Sequence, residues 1–201
     1  MSDEEEVVSD GYLEKRPSAG RMGKAVELLV AAACILISRG ELNASMALVD
    51  DEGVDLVFHR VGGSATLAVQ VKARMSSSKR VSGGGFVAFV RSQTFRPRED
   101  LFMLFITADV DAGTLGTLWF VPSTAFALAG GKPNARGRLK FAASLKEKSK
   151  DQWRTYRLEP TALPGRVLDE SPEARSLLAF VDLAPSRPNH AEFRSTRRKG
   201  P

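Results

Sequence analysis

Residues 53–72 constrain the fold of this chain more tightly than any other stretch. Gly53-Val-Asp-Leu-Val-Phe-His-Arg60 and Ala65-Thr-Leu-Ala-Val-Gln-Val-Lys72 are rich in β-branched and aliphatic residues and flank Val61-Gly-Gly-Ser64. Glycine supplies the positive φ that a tight hairpin turn demands, so the stretch reads as a β-hairpin turning on Gly62 and Gly63. Val61 then faces Ser64, and every further pair sums to 125, which sets Asp55 opposite Gln70 and Gly53 opposite Lys72. Opposed Cβ atoms lie about 4.5 to 5.5 Å apart. Alternation puts Lys72 on the face of Gln70. Asp55, Gln70 and Lys72 are therefore expected on one face, with Val54, Leu56, Phe58, Leu67, Val69 and Val71 on the other. An odd-length loop would break that segregation.

A carboxylate, an amide carbonyl and an amine held together suit a divalent cation and a phosphate, because hard cations take oxygen ligands. A partly buried Asp-Lys pair with a supporting amide is the plainer alternative.

The rest of the chain is read around that hairpin. At 201 residues and 43% hydrophobic it is long enough for one sizeable core. We expect a flexible acidic segment over 1–20, one domain over 21–182, and a flexible basic tail over 183–201. The net charge of +5 permits a polyanionic partner and does not demand one. Cys34 is the single cysteine, which excludes an internal disulfide and suggests a reducing compartment. No apolar segment follows a basic start, and the run from Leu28 to Ile37 is too short to span a bilayer, so a cytoplasmic protein without a membrane partner is expected.

Val26, Leu29, Val30, Ala33, Leu36 and Ile37 recur at helical spacing over Met22–Arg39, and Gly40 is a stop. That helix is apolar nearly all round and is expected to be largely buried. Glu27 lies inside it, where a carboxylate carries a desolvation cost unless paired or ligating. Lys24 and Arg21 are its local candidates.

Leu42–Val49 reads as an edge strand and Asp50-Asp-Glu52 as a turn. The basic, serine-rich stretch after Lys72 offers Arg74, Lys79 and Arg80 to phosphates, or is a disordered connection. Phe86–Val90 fits a strand or a short helix. Leu101–Thr107 reads as a buried strand, Thr114–Val121 as its neighbour, and Ser123–Leu128 as a helix with Ser123 as its cap. Gly130–Gly137 is a loop and Leu139–Ala143 a short strand. Trp153 and Tyr156, among basic residues, fit a core edge better than a nucleic-acid face. Pro172–Val181 suggests a last helix before the basic Arg194–Lys199. His59 and His190 are too scattered for a histidine metal site or a triad.

Gly23-Lys-Ala-Val-Glu27 on a first helix, Gly53-Val-Asp55 opening a hairpin and Gln70-Val-Lys72 on its second arm resemble the PD-(D/E)XK nuclease superfamily. This is the fold of many restriction endonucleases and archaeal Holliday-junction resolvases. The resemblance covers about residues 21 to 75; Trp119-Phe-Val-Pro122 is similar only in a general way. It implies an α/β, restriction-endonuclease-like core whose mixed central β-sheet is flanked by helices. It also implies a Mg2+- or Mn2+-dependent endonuclease acting on DNA, branched or structured DNA included, with a homodimer as the expected form for cutting both strands. Asp55, Gln70, the Val71 carbonyl and Glu27 would be the metal ligands, and Lys72 the catalytic lysine. Two positions depart from the pattern: Val54 stands where a proline is usual, and Gln70 where an acid is usual. Losing that charge lowers metal affinity unless other acids compensate. A nuclease-fold module that binds nucleic acid or assembles with partners, without chemistry, is the alternative.

Overall fold

The apolar alternation on either side of Gly62 produces two paired strands, and a mixed sheet is built out from them. The computed structural model describes residues 17–47 and 53–171. In chain order these form α1 (Pro17–Ile37), β1 (Leu42–Met46), β2 (Leu56–Arg60), β3 (Thr66–Met75), α2 (Lys79–Ser82), β4 (Gly85–Arg91), β5 (Leu101–Asp109), β6 (Thr114–Pro122), α3 (Ser123–Ala129), β7 (Arg138–Ser144), β8 (Arg157–Leu158) and α4 (Leu163–Asp169). The main sheet runs β1-β2-β3-β5-β6-β8, and β4 and β7 form a separate two-stranded sheet. Among the described residues, only the β3–β5 pair of the main sheet is parallel. The architecture is therefore α/β, with a mixed central sheet flanked by helices.

Within β2 the hairpin has the expected register: Leu56 pairs with Val69, Phe58 with Leu67 and His59 with Thr66; the ladder ends at Leu56, so the expected Asp55–Gln70 and Gly53–Lys72 pairs are not part of it. The turn itself sits one residue early. Gly63 N–H donates to Arg60 O at 2.9 Å, and Gly62 alone takes positive φ, at 83°. That geometry is a type II turn over Arg60–Gly63, with glycine at the position that requires it. Pairing resumes only at Thr66, so an even number of residues still separates the arms and the faces stay segregated.

Leu56, Phe58, Leu67, Val69 and Val71 join Phe102, Leu104 and Ile106 beneath Val26, Val30 and Cys34 of α1 and Leu163 and Val167 of α4. The opposite face carries Ala68, Met103, Phe105, Trp119 and Val121 against Phe86, Ala88 and Val90 of β4, Phe141 of β7 and Phe126 of α3. Phe141 stacks on Phe105 with ring centroids 3.7 Å apart, and Trp153 lies 4.9 Å from Phe141, so the tryptophan does close a core edge. Because both faces are covered, Leu101 to Ala108 of β5 are buried without a break.

Several expectations change. The helix begins at Pro17, so 17–20 belong to the fold rather than to a lead-in. It is also not buried all round: Met22, Leu28, Leu29, Leu36 and Ile37 are exposed, because the sheet covers one stripe of it. Val54 precedes β2 and packs into the second core rather than the first, since alternation holds only within the strand. The serine-rich stretch is ordered as the end of β3 and the turn of α2. Phe86–Val90 is strand, and Ser123 is the first residue of α3 rather than its cap. Its hydroxyl accepts Arg98 N–H at 2.9 Å and donates to Arg98 O at 2.7 Å. The Asp50–Glu52 turn, the Pro172–Val181 helix and the acidic and basic ends lie outside the described residues. Among the described residues no helix is long and apolar enough to cross a membrane.

Candidate functional site

The site forms where β2 and β3 part. Their ladder ends with Asp55 N–H donating to Val69 O at 3.0 Å, while Asp55 O accepts from Ala47 N–H at 3.2 Å beside β1. Groups two residues apart on a strand point the same way, so the N–H and C=O of Val71 face the gap that β2 has left. An unpaired buried backbone group is costly, and a side chain replaces the missing strand. Asp55 Oδ2 accepts Val71 N–H at 2.7 Å. Lys72 Nζ donates to Val71 O at 3.2 Å.

Gln70 is 7% exposed, and its amide lies on the backbone of Gly53. A Cβ at Gly53 would overlap Gln70 Nε2 and come within 3.2 Å of its Cδ. The residue also takes φ 73°, which glycine adopts without penalty. Gly53 is thus the seat of Gln70, a role the motif does not contain. The expected register gave no signal for it, since it set Gly53 opposite Lys72, whereas the structure places Gly53 against Gln70.

The structure brings Asp55, Gln70, Val71 and Lys72 together. Glu27 is bound elsewhere: its carboxylate pairs with Lys24 Nζ at 2.7 Å, one helical turn away, with side-chain exposures of 14% and 52%. This is the local partner that the sequence offered. Arg74 is engaged within the fold. Its Nε donates to Val87 O at 2.8 Å and its guanidinium to Ala73 O at 2.9 Å, tying β3 to β4. Lys79 and Arg80 are exposed on α2.

Among the described residues no three His, Cys, Asp or Glu side chains are grouped as a metal site. The oxygen donors at this divergence are the Asp55 carboxylate, the Gln70 amide and the Val71 main-chain carbonyl. All are hard oxygen donors of the type magnesium accepts, and only one carries full charge. This donor set fits such an ion in chemistry and is poor in charge.

A mixed six-stranded sheet with an Asp-Gln-Lys cluster at a strand divergence is the class that fold and site define. No protein-family model matches the chain, and no curated protein sequence matches it. Among solved structures it is similar to a bacterial homing endonuclease, I-Ssp6803I, at TM-score 0.47 and 19% identity over 79% of this chain and 96% of that one.

Proposed function

We propose that this protein is a metal-dependent nuclease that hydrolyses phosphodiester bonds of DNA. The observation that carries the reading is the linkage of Asp55 and Lys72 through the backbone of Val71, with Gln70 seated beside them on Gly53. Asp55, Gln70 and the Val71 carbonyl would hold Mg2+ or Mn2+, with Glu27 reaching it directly or through water. Such an ion supplies Lewis acidity toward a phosphate oxygen and toward a bound water. Lys72 orients the attacking water or the phosphate. As the water oxygen bonds to phosphorus it releases a proton to solvent, the bond to the leaving sugar oxygen breaks, and that oxygen takes up a proton from solvent. The residues matching the PD-(D/E)XK pattern support this assignment.

A second reading, a nuclease-fold module that binds nucleic acid without cutting it, is favoured by one feature. Gln70 replaces an acid while Glu27 is engaged with Lys24.

The test is cleavage of plasmid, single-stranded and branched DNA with magnesium or manganese, beside Lys72→Ala protein purified identically. Products from the first, and at least a roughly hundredfold loss in the second with unchanged circular dichroism, are expected. An equal rate in the variant overturns the assignment.

A further inference from the structure

We infer that the outer face of the β4–β7 sheet is a track for the phosphate backbone of duplex DNA, held by Lys79, Arg80, Lys140 and Lys146. This rests on the nuclease reading and extends it to a surface outside the Asp55–Lys72 cluster. Leu139 and Phe141 are buried in the second core, so alternation turns Lys140, Ala142 and Ser144 outward. Val87 pairs with Ala142, and Gly85 with Ser144. Gly85, Val87, Ala142 and Ser144 line a groove of about 760 Å³ together with Lys79, Arg80, Lys140 and Lys146, and Phe89 shares this outer face opposite Lys140.

The rims are braced. Leu145 N–H donates to Gly84 O at 3.0 Å, and Arg157 donates to Lys146 O at 2.8 Å and to Leu145 O at 3.0 Å. Arg80 lies across Gly85, its Cδ 3.2 Å from where a Cβ would stand. The one acid in the lining, Asp151, is occupied by Ser144 N–H at 2.9 Å, the Ser149 hydroxyl at 2.7 Å and Trp153 N–H at 3.0 Å. Among the described residues none of the four cations forms an ion pair. Four exposed cations around one groove suit a polyanion better than a compact neutral ligand. Val87, in the groove lining, holds Arg74 Nε at 2.8 Å, and Arg74 follows Lys72 by two residues on β3.

The experiment is fluorescence-anisotropy titration of a labelled duplex in EDTA across salt concentrations. Each phosphate contact contributes about −0.9 to the slope of log K against log salt. Replacing all four cations by alanine is expected to flatten the slope by about 3 to 4. A control, Arg21→Ala/Arg39→Asn on the α1 side, is expected to leave it unchanged. An unchanged slope in the fourfold variant, equal flattening in the control, no duplex binding by the parent, or tighter binding of duplex RNA with the same lysine dependence overturns the inference. Lys72→Ala run alongside separates the two readings. Loss of cleavage with the slope retained supports the nuclease whatever becomes of the groove, and a flattened fourfold variant supports the groove even if nothing is cut.

Discussion

Gly53→Ala tests the seat beneath Gln70. The residue is buried at φ 73°, and a left-handed conformation costs a residue with a Cβ roughly 1–2 kcal/mol. The new methyl would also occupy the place of Gln70 Nε2. That atom ends a rotatable side chain, so the amide swings away instead of forcing the backbone apart, and the packing cost belongs at the low end, about 1 kcal/mol. The sum is about 2–3 kcal/mol. In a chain of this length that lowers the melting temperature by roughly 5 to 10 °C. Urea unfolding of Gly53→Ala in the parent and in a Gln70→Ala background separates the terms. With the amide gone only the backbone cost remains, so a coupling of about 1 kcal/mol is expected. Equal costs in the two backgrounds would refute the seating of Gln70 on Gly53. A parent cost below about 0.5 kcal/mol would refute the backbone argument as well.

Three further outcomes follow from individual contacts. Gln70→Glu adds a charge to an oxygen donor set that has one, so magnesium binding by calorimetry should tighten, and an unchanged affinity would remove Gln70 from the ligands. Ser123→Ala removes the buried hydroxyl that both accepts from and donates to the backbone of Arg98, and about 1–3 kcal/mol should be lost in denaturant titration; an unchanged midpoint contradicts its role. Burial raises the Asp151 pKa, but the Ser149 hydroxyl, the N–H groups of Ser144 and Trp153 and the Arg157 guanidinium outweigh it and hold the carboxyl below its ordinary value. A depressed folded pKa stabilises above the unfolded pKa and loses that contribution as pH falls through the folded one. The stability advantage over Asp151→Asn should therefore hold at neutral pH and vanish in the acid range, and a constant difference at all pH values would contradict it.

What could be read in the sequence was what parity and local spacing govern. The register over 56–69 survived a turn displaced by one residue because only an even loop keeps Leu56, Phe58, Leu67 and Val69 on one side. Leu101–Thr107 was legible because a strand covered on both faces has no polar positions to confuse it. The exposed stripe of α1 was not, since leucines at helical spacing do not say how wide a surface the sheet will cover. Nor was the pairing of β4 with β7, which joins Gly85 to Ser144 across a whole intervening hairpin. The short α4 was missed, although Pro164 in its first turn is a start signal. In the site, Asp55 meets the backbone of Val71 rather than Gln70, because the ladder that the pairing arithmetic extends stops at Leu56, and the Val87 carbonyl that holds Arg74 depends on where β4 crosses, which no local pattern encodes.

The divergence of β2 from β3 explains why a structural bond and a chemical group coincide at Asp55. A ladder that stops inside a sheet leaves main-chain groups facing a gap, and a short carboxylate at the end of the departing strand is the right length to take the first of them. Once it does, its orientation is set by the backbone of Val71 rather than by a mobile partner, and Lys72 is tied to the same residue. Position is thus secured by the fold, and charge is left as the variable. Gln70 brings no charge to the cluster, and Glu27 is held by Lys24. That hold is weak: a pair one helical turn apart whose lysine is half exposed contributes about 0–1 kcal/mol. A divalent cation offers a carboxylate far more than an exposed amine does, so the Lys24 pair does not remove Glu27 from the ligands that such an ion could recruit.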